Sequence, residues 1–332
     1  MEKLPVVVVS GFDGLSGGRI AFDRVEHIDV LRYYSSEVDK YAIQVADHNY
    51  PQDTPYRLGD ITKLDGHKLL KEIREEFGDV KIILIGGSPC QGFSMAGKLQ
   101  GSSTACGIDV VSLEQYMDLK AQNFEFNGQS YLFWEFVRLQ KEIQPDYFFL
   151  ENVKINPKWL PMFNQAMGVE PLRIDSEEVC AGMRKRFYWT NIQDIKPIKQ
   201  KDVKLQDILD NAYTDREKSF CIDANYGKGS NLRRYLYRGS RQIVFTDEEF
   251  MKSVTGENKP HIDKCNLIGK ENRDKWRFLT PEECEKTQTL PVGFTLGVPK
   301  FWRYHMIGNG WTIDVPAHIF RHIPLELDTN QE

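Results

Sequence analysis

Val80-Lys81-Ile82-Ile83-Leu84-Ile85 is an almost unbroken apolar run, and it ends on Gly86-Gly87-Ser88-Pro89-Cys90-Gln91-Gly92-Phe93-Ser94. Such a run, stopped at once by glycine and proline, predicts a buried strand followed by a loop. That constrains the chain to an open α/β sheet, in which chemistry sits on the loops at strand ends. Cys90 lies on this loop. A thiol attacks only as the thiolate, so a catalytic Cys90 needs something to lower its pKa from about 8.5 or to hold it ready. The competing reading is a small buried hydrophobe, which is what most free cysteines are.

The remaining five cysteines, at 106, 180, 221, 265 and 284, form no Cys-x-x-Cys pair. The pattern argues against a zinc site and a disulfide framework and fits a reducing compartment. No apolar stretch approaches the roughly 20 residues that span a bilayer, and no signal peptide is legible. We therefore expect a protein that is not secreted: cytoplasmic in a bacterial or phage setting, nuclear in a eukaryote. With 332 residues, 41% hydrophobic and 27% charged, the chain can bury a sizeable core. A net charge of -5 gives no global sign of a polyanionic partner, yet Arg184 to Lys204 carries seven Lys or Arg against two Asp. Lys228 to Arg241 carries five against none. These runs read either as solvated faces or as one positive cleft on an otherwise acidic surface.

In chain order, the run Val6 to Ser10 leads through Gly11-Phe12-Asp13-Gly14-Leu15-Ser16-Gly17-Gly18 into a helix start. Strand, glycine turn and helix suit a nucleotide-like ligand, and Glu37 ends the next strand-like run about 20 residues on, where an acid can take ribose hydroxyls. The strict G-x-G-x-x-G spacing is missing, which favours an adenosine-bearing ligand other than a nicotinamide cofactor. Gly59-Asp60-Ile61 is expected to close a third short strand, with Asp60 either facing an adenine amine or capping the next helix. Residues 98–127 lack apolar periodicity and read as a lid or a disordered insert. Tyr147 to Leu150 predicts a strand delivering Glu151, a carboxyl able to act as acid or hydrogen-bond donor beside a nucleophile. Alternation after Met183 puts Arg184 and Arg186 on one strand face, suited to an anion or a carbonyl. From Asp194 to about Lys275 the pattern is short, polar and turn-rich, predicting a small lobe. Thr280-Pro281-Glu282-Glu283 then announces a helix.

These blocks in this order resemble the DNA (cytosine-5) methyltransferase family along nearly the whole chain: Phe12 to Gly18, Glu37, Asp60, Pro89-Cys90-Gln91, Glu151-Asn152-Val153, Arg184-x-Arg186, Arg277-x-x-Thr280-Pro281-Glu282 with Gln288 and Pro291, and Gly308-Asn309. The Phe-Asp-Gly opening, Ser35 to Val38, and Arg184 to Trp189 look most like the animal de novo branch. The resemblance implies a Rossmann-like, S-adenosylmethionine-dependent methyltransferase fold: a catalytic and cofactor domain over 1–193, a target-recognition lobe over 194–275, and a return segment over 276–332. It implies double-stranded DNA as partner, with no metal and no membrane. Cofactor contacts would come from Phe12, Asp13, Gly14, Leu15, Gly17, Glu37, Val38, Asp60, Ile61, Pro89, Asn309 and Trp311. Cys90 would attack C6 of a cytosine turned out of the duplex, Glu151 would hold the ring N3 and amine, and Arg186, supported by Arg184, would hold O2. DNA contacts would come from Gln91 and Ser94 beside the cysteine and from Lys228, Arg233, Arg234, Arg238 and Arg241 in the lobe, with Tyr226 a further candidate for the major groove.

The chain departs from the family in its long stretch after Cys90, in Met183 where glutamine is common, and in Gly310 after Asn309. Two other readings compete. A tRNA cytosine methyltransferase of the same fold would be separated by labelled methyl transfer to tRNA against duplex DNA. A catalytically silent DNA-binding subunit is disfavoured because Cys90, Glu151 and both arginines are all present.

Overall fold

The computed structural model describes residues 3–89, 92–93 and 101–325. Strand β1 (Leu4–Gly11) leads to helix α1 (Gly17–Asp23), β2 (Ile28–Ser36), α2 (Lys40–Asn49) and α3 (Gly66–Phe77), then to β3 (Lys81–Gly86). Helices α4 (Leu113–Ala121) and α5 (Leu132–Ile143) precede β4 (Tyr147–Val153), and α6 (Leu160–Met167) precedes the pair β5 (Leu172–Asp175) and β6 (Lys185–Thr190). The six strands form one sheet in the order β2-β1-β3-β4-β6-β5. β2, β1, β3 and β4 run parallel, and β6 is antiparallel to both its neighbours. It is a mostly parallel, Rossmann-like α/β sheet.

Strict alternation along the central strands feeds two separate cores. Val6, Val8, Ile83, Ile85 and Phe149 face a layer with α1 and α2. Val7, Val9, Ile82, Leu84, Phe148 and Leu150 face the opposite layer, which holds α3, α5 and α6. Strands buried on both sides in this way read as continuous apolar runs, which is why β1, β3 and β4 were legible. Register aligns their ends, since Gly11 pairs with both Ser36 and Gly86, and Gly86 with Leu150. The loops after four strands therefore open on one edge. Between β1 and β3 the chain reverses its direction of winding, the place where open sheets bind ligands.

Beyond the sheet lie α7 (Leu232–Arg238), β7 (Ile243–Phe245), α8 (Glu248–Val254), α9 (Cys265–Glu271) and β8 (Trp276–Phe278). Leu232, Tyr235, Ile243, Phe245, Phe250, Val254 and Trp276 make a small core of their own. Its second strand therefore runs past Lys275, and Leu205, Ile208 and Ala212 pack into the main core instead. The chain returns through α10 (Pro281–Thr287), α11 (Lys300–Asn309) and α12 (Asp314–Phe320). α10 begins as its sequence predicts: the Glu283 N–H donates to Thr280 Oγ1 at 3.1 Å and the Thr280 N–H to Glu283 Oε2 at 2.7 Å, with Pro281 in the first turn. Phe320 of α12 stacks on Phe22 of α1, ring centres 4.4 Å apart, closing one sheet face.

Two expectations about local structure fail. Gly59 to Ile61 is no strand; Asp60 caps a short 3-10 turn, Ile61–Lys63, accepting the Thr62 N–H at 3.0 Å. Asp at the start of a turn competes with strand pairing because its side chain satisfies the backbone locally. The described part of the insert is folded, too. Ser103 pairs with Asp109 and Thr104 with Phe126, and α4 buries Tyr116 and Leu119. No described helix is long and apolar enough to cross a membrane.

Candidate active site

The loop after β1 turns through three left-handed residues, Phe12, Gly14 and Ser16, at φ 57°, 59° and 63°. Its Asp13 carboxylate is buried and accepts hydrogen bonds from Tyr33 Oη and Ser16 Oγ, both at 2.7 Å. Burial pushes the acid up from 3.8 to about 6 against those bonds. Glu37, at the end of β2, accepts the Gly14 N–H on Oε2 at 2.8 Å. On Oε1 it accepts the Val38 and Asp39 N–H groups at 2.7 and 2.8 Å. Three bonds leave a carboxylate with acceptor capacity to spare. Val38 beside it is 72% exposed. Leu15 and Ile61 are buried. Partial burial opposes ionisation of Asp60, but the Thr62 N–H and hydroxyl, with Lys63 and Lys120, hold its carboxyl below the ordinary range.

Trp311 joins this loop to the one after β3. A Cβ on Gly87 would lie 3.0 Å from its Nε1, tighter than ordinary contact, so that position must be small beside the indole, whereas a Cβ on Gly17 would lie 3.9 Å from its ring, at ordinary contact distance. Ser88 is buried, and Asn152 Nδ2 donates to its carbonyl at 3.3 Å and its hydroxyl at 3.2 Å. Pro89 follows. Cys90, Gln91 and Ser94 lie outside the described residues. Downstream, the Gly92 N–H donates to Ser130 Oγ at 2.8 Å and its carbonyl accepts the Gly101 N–H at 2.9 Å. Ser88 and Ser130 therefore fix the described ends of the cysteine loop. Neither stood out in the sequence, because no local pattern marks a hydroxyl whose partner is 38 or 64 residues away.

Glu151 lies in β4, two residues before its end at Val153, with its side chain at this edge. Its Oε1 meets Arg186 Nε at 2.9 Å, and Oε2 lies 3.4 Å from where a Gly87 Cβ would be. The pairing is dictated by register, since Arg186 on β6 sits opposite Val153, two residues from Glu151 on the same face. A nearly buried carboxylate bonded to a guanidinium is fixed in direction, with charge-assisted geometry.

Arg184 does something else. Its guanidinium is buried and donates to the carbonyls of Ile222 at 3.2 Å, Gly308 at 3.1 Å and Gly310 at 2.7 Å. Burial, then the charge of Arg186, draws its pKa below the usual guanidinium value. It is tied to main chain one residue before β6 begins at Lys185, and the charges of Arg186 and Glu151 both reach it. Asn309 is exposed at the end of α11, its Nδ2 3.2 Å from His305 Nε2.

In the small lobe, Arg233, Arg234 and Arg238 line a concavity of about 250 Å³ with Asn231 and Asn266. None of the three arginines has a carboxylate partner among the described residues. Lys228 is exposed. Arg241 is turned inward, Nη1 donating to the Gly229 carbonyl at 2.6 Å. Tyr226 is buried, its hydroxyl bonded to the Gln242 carbonyl at 2.5 Å and accepting the Leu279 N–H at 2.9 Å, so it does not project toward a groove. Among the described residues no group of three or more His, Cys, Asp or Glu could hold a metal ion.

Residues 6–156 and 177–324 match the family described as C-5 cytosine-specific DNA methylase. The chain belongs to this family, and it is a DNA cytosine-5 methyltransferase. The type II methyltransferase M1.ScrFI of Lactococcus lactis subsp. cremoris is 25% identical over 331 residues, 92% of this chain and 74% of that protein. M.NgoBV of Neisseria gonorrhoeae is 32% identical over 299 residues, 80% of this chain and 61% of the relative. Both are bacterial type II methyltransferases, so the likeness to the animal de novo branch read from Phe12 to Gly14 and from Arg184 to Trp189 is not what they show. Among solved structures, the Entamoeba histolytica methyltransferase EhMeth has a TM-score of 0.62 at 14% identity, covering 97% of this chain and 98% of its own. S. pombe Dnmt2 has 0.60 at 12%, covering 95% and 96%. At such identities the two share a fold with this chain and nothing finer.

Proposed function

We propose that this methyltransferase takes a cytosine turned out of double-stranded DNA and methylates C5 through a covalent bond from Cys90 to C6. The observation that carries the reading is the Glu151 to Arg186 bond at 2.9 Å on the strand edge that opens beside Pro89. In this reading Arg186 orients the Glu151 carboxyl toward the ring N3 and amine and lies near O2. The Cys90 thiolate adds to C6, the C5–C6 double bond supplies its electron pair to a methyl carbon at C5, and loss of the C5 proton with expulsion of the thiolate restores the ring. Unstacking the base costs a few kcal/mol, which DNA contacts from the lobe offset.

S-adenosylmethionine, which the family implies as donor, would supply an electrophilic sulfonium methyl. The residues present fit it. An added Cβ on Gly14 would meet nothing within 4 Å, so the loop has open space above it. Glu37 has acceptor capacity for ribose hydroxyls, while Val38, Phe12 and Trp311 offer apolar surface for a planar ring. Asp60 keeps an ionised oxygen for an amine. Arg184 supports the site by holding the main chain at Gly308 and Gly310 next to Trp311, not by touching the base. The type II names of the relatives support a cytoplasmic enzyme working beside a restriction endonuclease of the same target sequence.

The test is Cys90→Ser with duplex DNA containing 5-fluorocytosine. Wild type should form a covalent complex because fluorine blocks the final proton loss; Cys90→Ser should form none yet bind S-adenosylmethionine as before. Appreciable methylation by Cys90→Ser, or equal inactivity of Cys106→Ser, would assign the nucleophile elsewhere. Preferential labelling of tRNA over duplex DNA would overturn the substrate.

A further inference from the structure

The insert that separates the cysteine loop from α5 does not hang free; it ends in a charged network that reaches the turn carrying Asp60. Lys120 of α4 has its Nζ 2.5 Å from Glu135 Oε1 and donates to the Thr62 carbonyl at 3.1 Å. Tyr116, one turn earlier on α4, donates its hydroxyl to the same Glu135 oxygen. Glu135 is fully buried, and its other oxygen accepts Arg138 Nε at 2.7 Å. Arg138 in turn donates to the Ile61 carbonyl at 3.0 Å. Two consecutive carbonyls of the 3-10 turn are thus held by two cations sharing one buried carboxylate. One cation comes from the sheet-bound helix α5, the other from the insert.

That turn is built for direction. Asp60 Oδ1 accepts both the Thr62 N–H at 3.0 Å and the Thr62 hydroxyl at 2.8 Å, so the carboxyl orientation follows the Thr62 peptide. Oδ2 has the Lys63 ammonium at 3.8 Å and points away from those bonds. The Thr62 N–H shares its peptide with the Ile61 carbonyl, which Arg138 holds, and the Thr62 carbonyl in the next peptide is held by Lys120. The two cations therefore fix the backbone on both sides of Thr62, and with it the N–H and hydroxyl that orient Oδ1 and leave Oδ2 presented. A network half-satisfied in a buried setting is costly, so removing one cation should be felt through the others.

We propose that α4 of the insert is a cofactor-side buttress in which Lys120 is a positioning residue, aiming Asp60 at the amine of the adenine by clamping the backbone at Thr62 together with Arg138 and their shared Glu135. The inference rests on the reading of Asp60 as the adenine-facing acid. It gives the insert a role at the cofactor and none that requires contact with DNA. Lys120 also contributes to holding the Asp60 carboxyl ionised, as an acceptor for an amine must be.

The experiment measures S-adenosylmethionine affinity by calorimetric titration, and its KM and kcat with duplex DNA, for Lys120→Met, Lys120→Arg, Asp60→Asn and the double variant Asp60→Asn/Lys120→Met. Lys120→Met should weaken cofactor binding on the order of three- to tenfold and raise its KM equally, with kcat at saturating cofactor and the KM for DNA unchanged. Lys120→Arg should restore most of the affinity, and Lys120→Met should add little once Asp60 is Asn. Wild-type affinity in Lys120→Met alongside weak binding in Asp60→Asn would overturn the buttress and leave the Asp60 reading standing. Wild-type affinity in Asp60→Asn would overturn both. A parallel fall in melting temperature, kcat and DNA binding in Lys120→Met would assign it to folding alone, and Lys120→Gln, uncharged but still a donor, is judged by the same readouts if the methionine variant does not fold.

Discussion

Arg184 and Arg186 carry the same group two positions apart and use it differently, and the difference is measurable. Removing Arg184 strands three carbonyls, each worth roughly 1–3 kcal/mol when left unsatisfied in the interior. Arg184→Met should therefore lower the melting temperature strongly while the folded fraction retains turnover. Arg186→Met should lower the melting temperature as well, because it leaves the nearly buried Glu151 carboxylate without its partner, but it should differ in cutting single-turnover methylation of the folded fraction by about a hundredfold or more, the usual cost of losing a preorganised charge at a reacting centre. Asp13 makes a second residue-scale prediction. Its folded pKa, about 6, exceeds the unfolded 3.8, so the folded state holds the proton more tightly. The stability this group contributes is fully present below pH 3.8 and is lost as pH rises through about 6. The span corresponds to roughly 3 kcal/mol as a ceiling. Asp13→Asn should remove that decline and unfold at higher denaturant than wild type at pH 7. Identical pH dependence of the urea midpoint in both proteins would show that Asp13 is not the titrating group.

Elements differ in how plainly they announce themselves. β1, β3 and β4 were legible because strands buried on both faces must be apolar throughout, and α10 because its cap is written in four consecutive residues. Glu151 could be located for the same reason, as the first charged residue after the apolar run Tyr147 to Leu150, whereas Glu37 follows β2, which carries Asp29 and Arg32 and is partly exposed. What escaped depends on partners distant in sequence. Asp60 looked like a strand end until Thr62 captured its carboxylate, and the insert looked structureless because α4 draws its order from Glu135 on another helix. Arg241 resembled its exposed neighbours and is instead bonded to Gly229. Close approaches are equally silent in sequence. Gly308 on α11 faces the Asp223-Ala224 peptide so closely that an added Cβ would fall 2.2 Å from the Asp223 carbonyl carbon. Gly308→Ala must push α11 off this segment, at about 3 kcal/mol or more for forced overpacking against backbone. Differential scanning calorimetry should record a lower melting temperature, and an unchanged one would mean that the helix can shift freely.

At the scale of the whole molecule, a net charge of -5 coexists with a lobe surface where Arg233, Arg234 and Arg238 converge without acidic partners among the described residues. Phosphate contacts release counterions, with a log-log salt slope of about -0.9 per phosphate on duplex DNA. Alanine at any of these three that contacts phosphate should flatten the slope by about one without altering the methylated sequence, whereas one that reads a base should change the sequence context and leave the slope alone. Arg241→Ala should instead disturb the fold at Gly229. Wild-type slope, affinity and context in all of the first three would move DNA recognition off this face. The acceptors around Arg184 carry one more consequence. They come from the lobe connection at Ile222 and from Gly308 and Gly310, more than 120 residues later in the chain. During synthesis the segment bearing Arg184 leaves the ribosome long before two of those acceptors exist. Until Gly310 has emerged, two of the three carbonyls that meet the guanidinium are missing, and Trp311 cannot enter between the two loops. The guanidinium and the two loops around Trp311 therefore reach their packed arrangement only after the chain has been made through Trp311.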